Sequence, residues 1–371
     1  MITSSTVEQI LAKGNVWYIR HYEGYFNRVY AVYPFGNPHK PVTNGKTTLV
    51  SVGTGRGPKT DLIMAPYRLY KLAKEIRPSS YLTADIVYSW WVCLFLRTLL
   101  RARILLMPVC IPEQIYEATR KSTSGLPMWL ERLFVKLSFT LSYRVMTGKN
   151  ISVFVAWLSS IRTVRSKLLI VDTLVDELPS IEFYNRLEER AVHQHSKVFN
   201  LLYVGRLDKE KMVADLIEML ALIKREHANV RLTLVGDGPE RHNLEELAIR
   251  KGVRNEADFV GSKKSGDLVN YYKNAEVFVS PLTGTALREA ALCERAVVAY
   301  NMDWVRGFLV DEENALLAEA GNVKKLAEQV TRLLTDENLR KTIAQRLHKV
   351  ALEYWRPERV RIALEQAFAS D

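Results

Sequence analysis

Twice along this chain, short runs of β-branched and aliphatic residues alternate with longer helical stretches. The first half carries "RVYAVYP" (28–34), "TTLVSVG" (47–53), "SYLTA" (80–84), "RILLMPVC" (103–110) and "YRVMTG" (143–148), with helical segments such as 61–77 and 126–142 between them. The second half repeats the scheme with "FNLLYVG" (199–205), "VRLTLVG" (230–236), "ADFVG" (257–261), "AEVFVSP" (275–281) and "RAVVAY" (295–300). Runs with so few polar alternations are the pattern of parallel strands covered by helices on both faces. The repeated order predicts an α/β chain of two Rossmann-like doubly wound domains facing across a cleft. The expected division is 1–182 and 183–355, in or near the polar stretch 176–197. A last helix over 356–371 is expected to pack back on the first domain.

The 371 residues suffice for two such domains, and 48% hydrophobic with 25% charged residues is the balance of a globular chain. No apolar run reaches the length that crosses a bilayer. "VYSWWVCLFL" (87–96) runs into Arg97, Arg101 and Arg103 and reads as a buried or interfacial helix. The opening residues lack the apolar core of a signal peptide. Cys93, Cys110 and Cys293 lie far apart, with neither disulfide nor metal spacing, and read as core thiols of a cytoplasmic protein. The net charge of +11 is uneven: residues 1–185 hold 23 Lys and Arg against 12 Asp and Glu, and the remainder holds 29 of each. A basic N-terminal half favours an anionic partner, whether nucleic acid, a membrane surface or a phosphorylated small molecule. The segment 126–144 sets Trp129, Leu130, Leu133 and Phe134 on one side and Arg132 and Lys136 on the other. It reads either as a sheet-covering helix or as a dock for an anionic membrane on the inner face.

Ligands of open α/β sheets bind beyond the carboxyl ends of the strands. "VGRLDKEK" (204–211), "VGDGPE" (235–240) and "SPLTGTALREA" (280–290) all hold such positions. In the last, a strand ends at Pro281 and a helix begins near Thr285, so the free amides of that first turn favour an anion. Gly284 would let the backbone approach closely. Glu289, a turn further on, is placed either to accept hydrogen bonds from a ribose or as a solvated residue. Arg206 offers a planar fork for phosphate oxygens and Lys211 a point charge. The loop "VGTGRGPK" (52–59) lacks the G-K-[ST] ending of a phosphate loop, and no G-x-G-x-x-G follows a strand.

Taken together these segments resemble the donor domain of the family 4 glycosyltransferases, retaining enzymes of the GT-B fold. "YVGRLDKEKMVADLIEML" resembles the family's G-R-L-x-x-x-K-G segment, and "LTLVGDGPERHNLEELA" its V-G-x-G-P turn and helix. "DFVGSKKSGDLVNYYKNAEVFVSP" and "GTALREAALCERAVVAY" resemble its F-x-G to F-x-x-P stretch and its L-x-E-A helix. The resemblance covers 199–300. It implies a transfer of sugar from a nucleotide-diphosphate sugar to a glycan, lipid-linked or small-molecule hydroxyl, with retention and without a metal or other cofactor. Gly205, Arg206 and Lys211 would hold the diphosphate, with amides of the Gly284-Thr285-Ala286 turn, and backbone or Thr283 would contact the sugar ring. Glu289 would bind the ribose, and Val260 or a neighbour the base.

Departures from the family pattern shape the rest. Pro281 stands where the family often has the first carboxylate of an E-x₇-E pair, and Met212 and Arg295 replace a usual glycine and proline. No histidine follows "SYLTA". Asp85 stands there, as an acceptor-orienting carboxylate or a helix N-cap. Glu113, after "LLMPVCIP", is the second candidate catalytic carboxylate. The chain begins almost at its first helix, so the family's opening strand is expected to be absent or shortened. These departures support a second reading, a catalytically degenerate GT-B protein that binds a nucleotide sugar or a partner transferase. An epimerase or phosphorylase of the same architecture lacks a recognisable phosphate constellation, and no motif supports nucleic-acid binding.

Overall fold

The computed structural model describes residues 17–79, 81–83, 104–106, 137–140, 144–148, 158–171, 178–188, 198–282, 284–302 and 308–368, with single residues 7, 97, 100 and 142. The question of a strand before residue 17 lies outside the described residues, as does nearly all of the segment 126–144. The chain divides into two compact units, 1–176 with 357–371, and 177–356.

In the first unit β1 (Val29–Tyr33) pairs in parallel with β3 (Thr47–Ser51), and β3 pairs antiparallel with β2 (Val42–Asn44). β4 (Tyr81–Thr83), β5 (Ile104–Leu106), β6 (Arg144–Gly148) and β7 (Leu168–Val171) form a parallel set in that order. The three-residue β2 was not legible in the sequence, since so short a run carries no period. Helix α1 (Pro58–Ile76) starts on a proline, whose missing N–H costs nothing there, and ends on Arg77 in the left-handed region. It buries Ala65, Leu69 and Ala73 against Val32, Val52 and Ile104.

One carboxylate fixes the loops that follow β1 and β3. Asp61, 1% exposed, accepts bonds from the Gly36 amide at 3.1 Å and from the Thr54 amide and hydroxyl at 2.5 Å. On the same helix Arg68 donates to the carbonyls of Val52 and Gly53. The final helix of the chain, Pro357–Phe368, belongs to this unit. Its Phe368 packs edge-on to Phe26 with centroids 5.7 Å apart.

The second unit starts with α2 (Ile181–Leu187), capped by the Ser180 hydroxyl. Six parallel strands follow: β8 (Phe199–Val204), β9 (Val230–Val235), β10 (Ala257–Gly261), β11 (Val277–Ser280), β12 (Ala296–Tyr300) and β13 (Leu316–Ala318). Their order in the sheet is β10-β9-β8-β11-β12-β13. Between them run α3 (Val213–Ile223), α4 (Arg241–Arg250), α5 (Ser265–Lys273) and α6 (Thr285–Leu292), and α7 (Val323–Thr335) and α8 (Glu337–Tyr354) complete the unit. Every residue of β11 and β12 is buried, which is why their sequences show no polar alternation. Leu216, Ile217 and Leu220 of α3 meet Leu326 and Val330 of α7 in one core with Leu201, Leu232 and Val298. The expected α/β class is therefore found in both units, with β2 the one antiparallel strand among the described residues.

Candidate functional site

The order of the second sheet creates a crevice. From β8 the chain moves outward through β9 to β10, then crosses back through α5 to β11 on the other side of β8. Loops leaving β8 and β11 diverge, and this switch point is where open α/β sheets bind ligands. The loop after β8 carries Gly205, Arg206 and Lys211. The loop after β11 leads into Gly284 and α6. Since β8 and β11 are hydrogen-bonded neighbours running the same way, the fold sets these two sequence-predicted groups side by side.

The loop after β8 is firmly held. Gly205 N–H donates to Val235 O at 3.0 Å, and the Tyr203 hydroxyl donates to Arg206 O at 3.0 Å. Burial raises the Tyr203 pKa, so this hydroxyl keeps its proton. Asp208, which the sequence reading passed over, organises the rest. Its Oδ1 caps Lys211 N at 3.1 Å and its Oδ2 lies 3.3 Å from Arg206 Nε. The Arg206 side chain is 76% exposed, so its cation is steered by Asp208 yet open to solvent.

The "VGDGPE" glycines do more than turn the chain. Leu207 N–H donates to Asp237 O, Glu240 N–H donates to Leu207 O, and Gly236 N–H donates to Gly261 O. A Cβ at Gly236 would stand 1.8 Å from Gly205 O, and one at Gly238 2.3 Å from Leu207 O. The two loops interlock backbone to backbone and hold Arg206 and Lys211 in place.

Met212 follows Lys211 at φ +51°, a conformation that glycine adopts freely and a side chain does not. Met212→Gly is expected to change stability by less than about 1 kcal/mol in either direction, because relief of φ strain opposes the added freedom of the unfolded chain. Chemical denaturation measures this; a loss well beyond 1 kcal/mol would show that Met212 packing outweighs the strain.

Gly284 is the N-cap of α6, and no side chain caps that first turn. A Cβ at Gly284 would meet nothing within 4 Å, so packing inside the protein does not require glycine there. The turn presents its Thr285 and Ala286 amides with the helix dipole behind them. Thr283 lies outside the described residues, as do Asp85 and Glu113.

Glu289 is 6% exposed, which excludes the solvated alternative. The Tyr272 hydroxyl of α5 donates to Glu289 Oε2 at 2.8 Å. Burial pushes the carboxyl up to about 7, against the opposing pull of the Tyr272 bond. Tyr272 itself is fully buried between Phe183 and Phe278. The sequence reading missed Tyr272; the signal was its place on the helix next to the Glu289 helix.

Val260 sits at an irregular step of β10, between Phe259 and Gly261. With Asn200, Leu202, Thr233 and Asn270 it lines a groove of about 870 Å³ that shares no lining residue with the 205–211 loop or α6. Cys293 is a buried free thiol whose pKa burial pushes up to about 12, so it stays protonated. No group of three or more His, Cys, Asp or Glu among the described residues is arranged to hold a metal ion. No helix of the described residues is long and apolar enough to cross a membrane.

Residues 185–350 match the family model described as glycosyl transferases group 1. The capsular polysaccharide biosynthesis glycosyltransferase CapM of Staphylococcus aureus is 30% identical over 163 residues, 43% of each chain. The lipopolysaccharide core biosynthesis glycosyltransferase LpsE of Rhizobium meliloti is 29% identical over 46% of this chain and 49% of its own. The chain thus spans less than half the length of these relatives. Among solved structures, sucrose-phosphate synthase from Thermosynechococcus elongatus superposes with a TM-score of 0.72 at 16% identity, over 99% of this chain and 94% of its own. HepE of Anabaena, crystallised with UDP, gives 0.71 at 15% identity over 100% and 99%. These likenesses give the fold, that of the GT-B glycosyltransferases.

Proposed function

We propose, from the match of residues 185–350 to the glycosyl transferases group 1 model, that this chain moves a sugar from a nucleotide-diphosphate sugar to an acceptor hydroxyl, with retention at the sugar carbon. The observation that carries the reading is the switch point between β8 and β11, where the Arg206–Lys211 loop lies beside the uncapped start of α6. Arg206, Lys211 and the Thr285 and Ala286 amides take the diphosphate. Charge that grows on the leaving diphosphate as the glycosidic bond breaks is met by these donors, which are in place beforehand, so no metal is called for. Glu289 accepts from the ribose through the oxygen Tyr272 leaves to it. HepE of Anabaena, crystallised with UDP, supplies the analogy for a uridine donor. The names of the capsule and lipopolysaccharide transferases supply the analogy for a glycan or lipid-linked acceptor.

Calorimetry with a panel of nucleoside diphosphates and their sugars tests the reading. Micromolar binding to one base series is expected. Lys211→Ala removes one charge-assisted contact, about 1.5–3 kcal/mol, and weakens that binding tenfold or more. No binding by the intact chain would sink the donor-site assignment. Pro281 in place of a carboxylate favours the second reading, a domain that binds a nucleotide sugar without turnover. Tight donor binding without transfer or donor hydrolysis would select it.

A further inference from the structure

Seven large hydrophobic side chains are exposed among the described residues, and three of them lie together on α1. Ile63 is 75% exposed, Tyr67 63% and Met64 40%. At about 100° per residue, Ile63, Tyr67 and Lys74 fall within roughly 40° of one another, and Lys71 lies between Tyr67 and Met64. The opposite side holds Asp61, Ala65, Leu69 and Ala73, all buried. Inward packing therefore leaves the Ile63–Tyr67 face without a partner among the described residues. Exposed apolar side chains grouped on one helix face and flanked by cations fit an interaction surface better than an ordinary solvent-facing helix.

The flanking charges choose the partner. Lys71 and Lys74 are exposed, with Arg56 exposed just before the helix and Arg77 just after it. Glu75, on the rim, is the one exposed acid of α1 among the side chains described. No ion pair engages Lys71 or Lys74 among the described residues. The same half of the chain holds the protein's whole excess of positive charge. Aliphatic and tyrosine side chains seated at the interface, with lysine stems reaching up to phosphates, are the pattern of a helix lying in the plane of an anionic bilayer.

We propose that the outer face of α1 docks this chain on an anionic lipid surface, with Ile63, Met64 and Tyr67 entering the headgroup boundary and Lys71 and Lys74 holding lipid phosphates. The segment 126–144, nearly all of it outside the described residues, is not part of this surface, and the proposal does not depend on transferase activity.

The test is flotation of the full chain with phosphatidylcholine vesicles and with vesicles containing phosphatidylglycerol. Binding is expected only to the anionic vesicles and is expected to weaken as salt is raised. Lys71→Gln and Lys74→Gln should each lower partitioning about fivefold. The double substitution Ile63→Ser with Tyr67→Ser should lower it tenfold or more, with circular dichroism and thermal unfolding unchanged because both side chains are already in water. Absence of binding to anionic vesicles overturns the proposal, as does binding that all four substitutions leave intact. A concentration-dependent dimer that Ile63→Ser dissociates, without vesicle binding, would overturn it in favour of a second copy of the chain.

Discussion

Gly236→Ala is expected to destabilise the C-terminal unit by about 3–5 kcal/mol, among the largest effects a single added methyl produces. Two causes act together. The residue sits at φ +144°, outside the region open to side chains, and the new Cβ would stand 1.8 Å from the Gly205 carbonyl oxygen. That oxygen is backbone and cannot swing aside, so one loop must move away from the other. Gly252→Ala separates the two causes. Gly252 has φ +70° but open space around its Cβ position, so it carries the conformational term alone, about 1 kcal/mol. Calorimetry of the full chain should show the transition of this unit lowered by about 10 °C for Gly236→Ala and by a few degrees for Gly252→Ala. Equal shifts would mean that the loops are not in close contact. Because the displaced loop carries Arg206 and Lys211, any protein that still folds should also bind nucleoside diphosphates more weakly.

Glu289→Gln should reverse its effect on stability with pH. The Glu289 carboxyl is raised to about 7 in the folded chain, against an ordinary value of 4.5. Between those values the folded state holds a proton that the unfolded state has released. The protonated carboxyl therefore contributes fully below about pH 4.5, and its contribution is lost as pH rises through 7. The loss is on the order of 3 kcal/mol. Glutamine keeps an oxygen for the Tyr272 hydroxyl and never ionises. At pH 5 the variant should match the parent or fall slightly below it; at pH 8 it should be the more stable of the two. Donor binding runs the other way, since an ionised Glu289 is the better acceptor for ribose hydroxyls. Parallel stability curves from pH 5 to 8 would show that Glu289 is ionised throughout.

The parts of this architecture that were readable from sequence share one property: local pattern and tertiary demand agree. β11 and β12 read as strands because burial on both faces removes polar residues from the run. The start of α6 read as an anion site because a strand end, a glycine and a helix start follow one another directly. What was missed depends on residues far apart in the chain. Tyr272 and Glu289 meet only because α5 and α6 pack together, and no spacing rule announces that contact. The close approach of Gly236 to Gly205 is likewise a property of two paired strands, so the glycines of "VGDGPE" looked like turn residues. Asp61 is only the first letter of the helical segment 61–77 in the sequence. Its burial follows from where β1 and β3 end.

That last carboxylate sets how the N-terminal unit opens in time. Loops ordinarily surrender their amide hydrogens to solvent long before the core does. The Gly36 and Thr54 amides are pledged to Asp61, whose own backbone amide donates to Gly57 O in the first turn of α1. Each amide exchanges only when its bond to Asp61 breaks, and Asp61 sits buried at the root of that helix. In hydrogen–deuterium exchange the two loops should therefore behave as part of α1, slow and synchronous, and Asp61→Asn should uncouple them into separate, faster clocks.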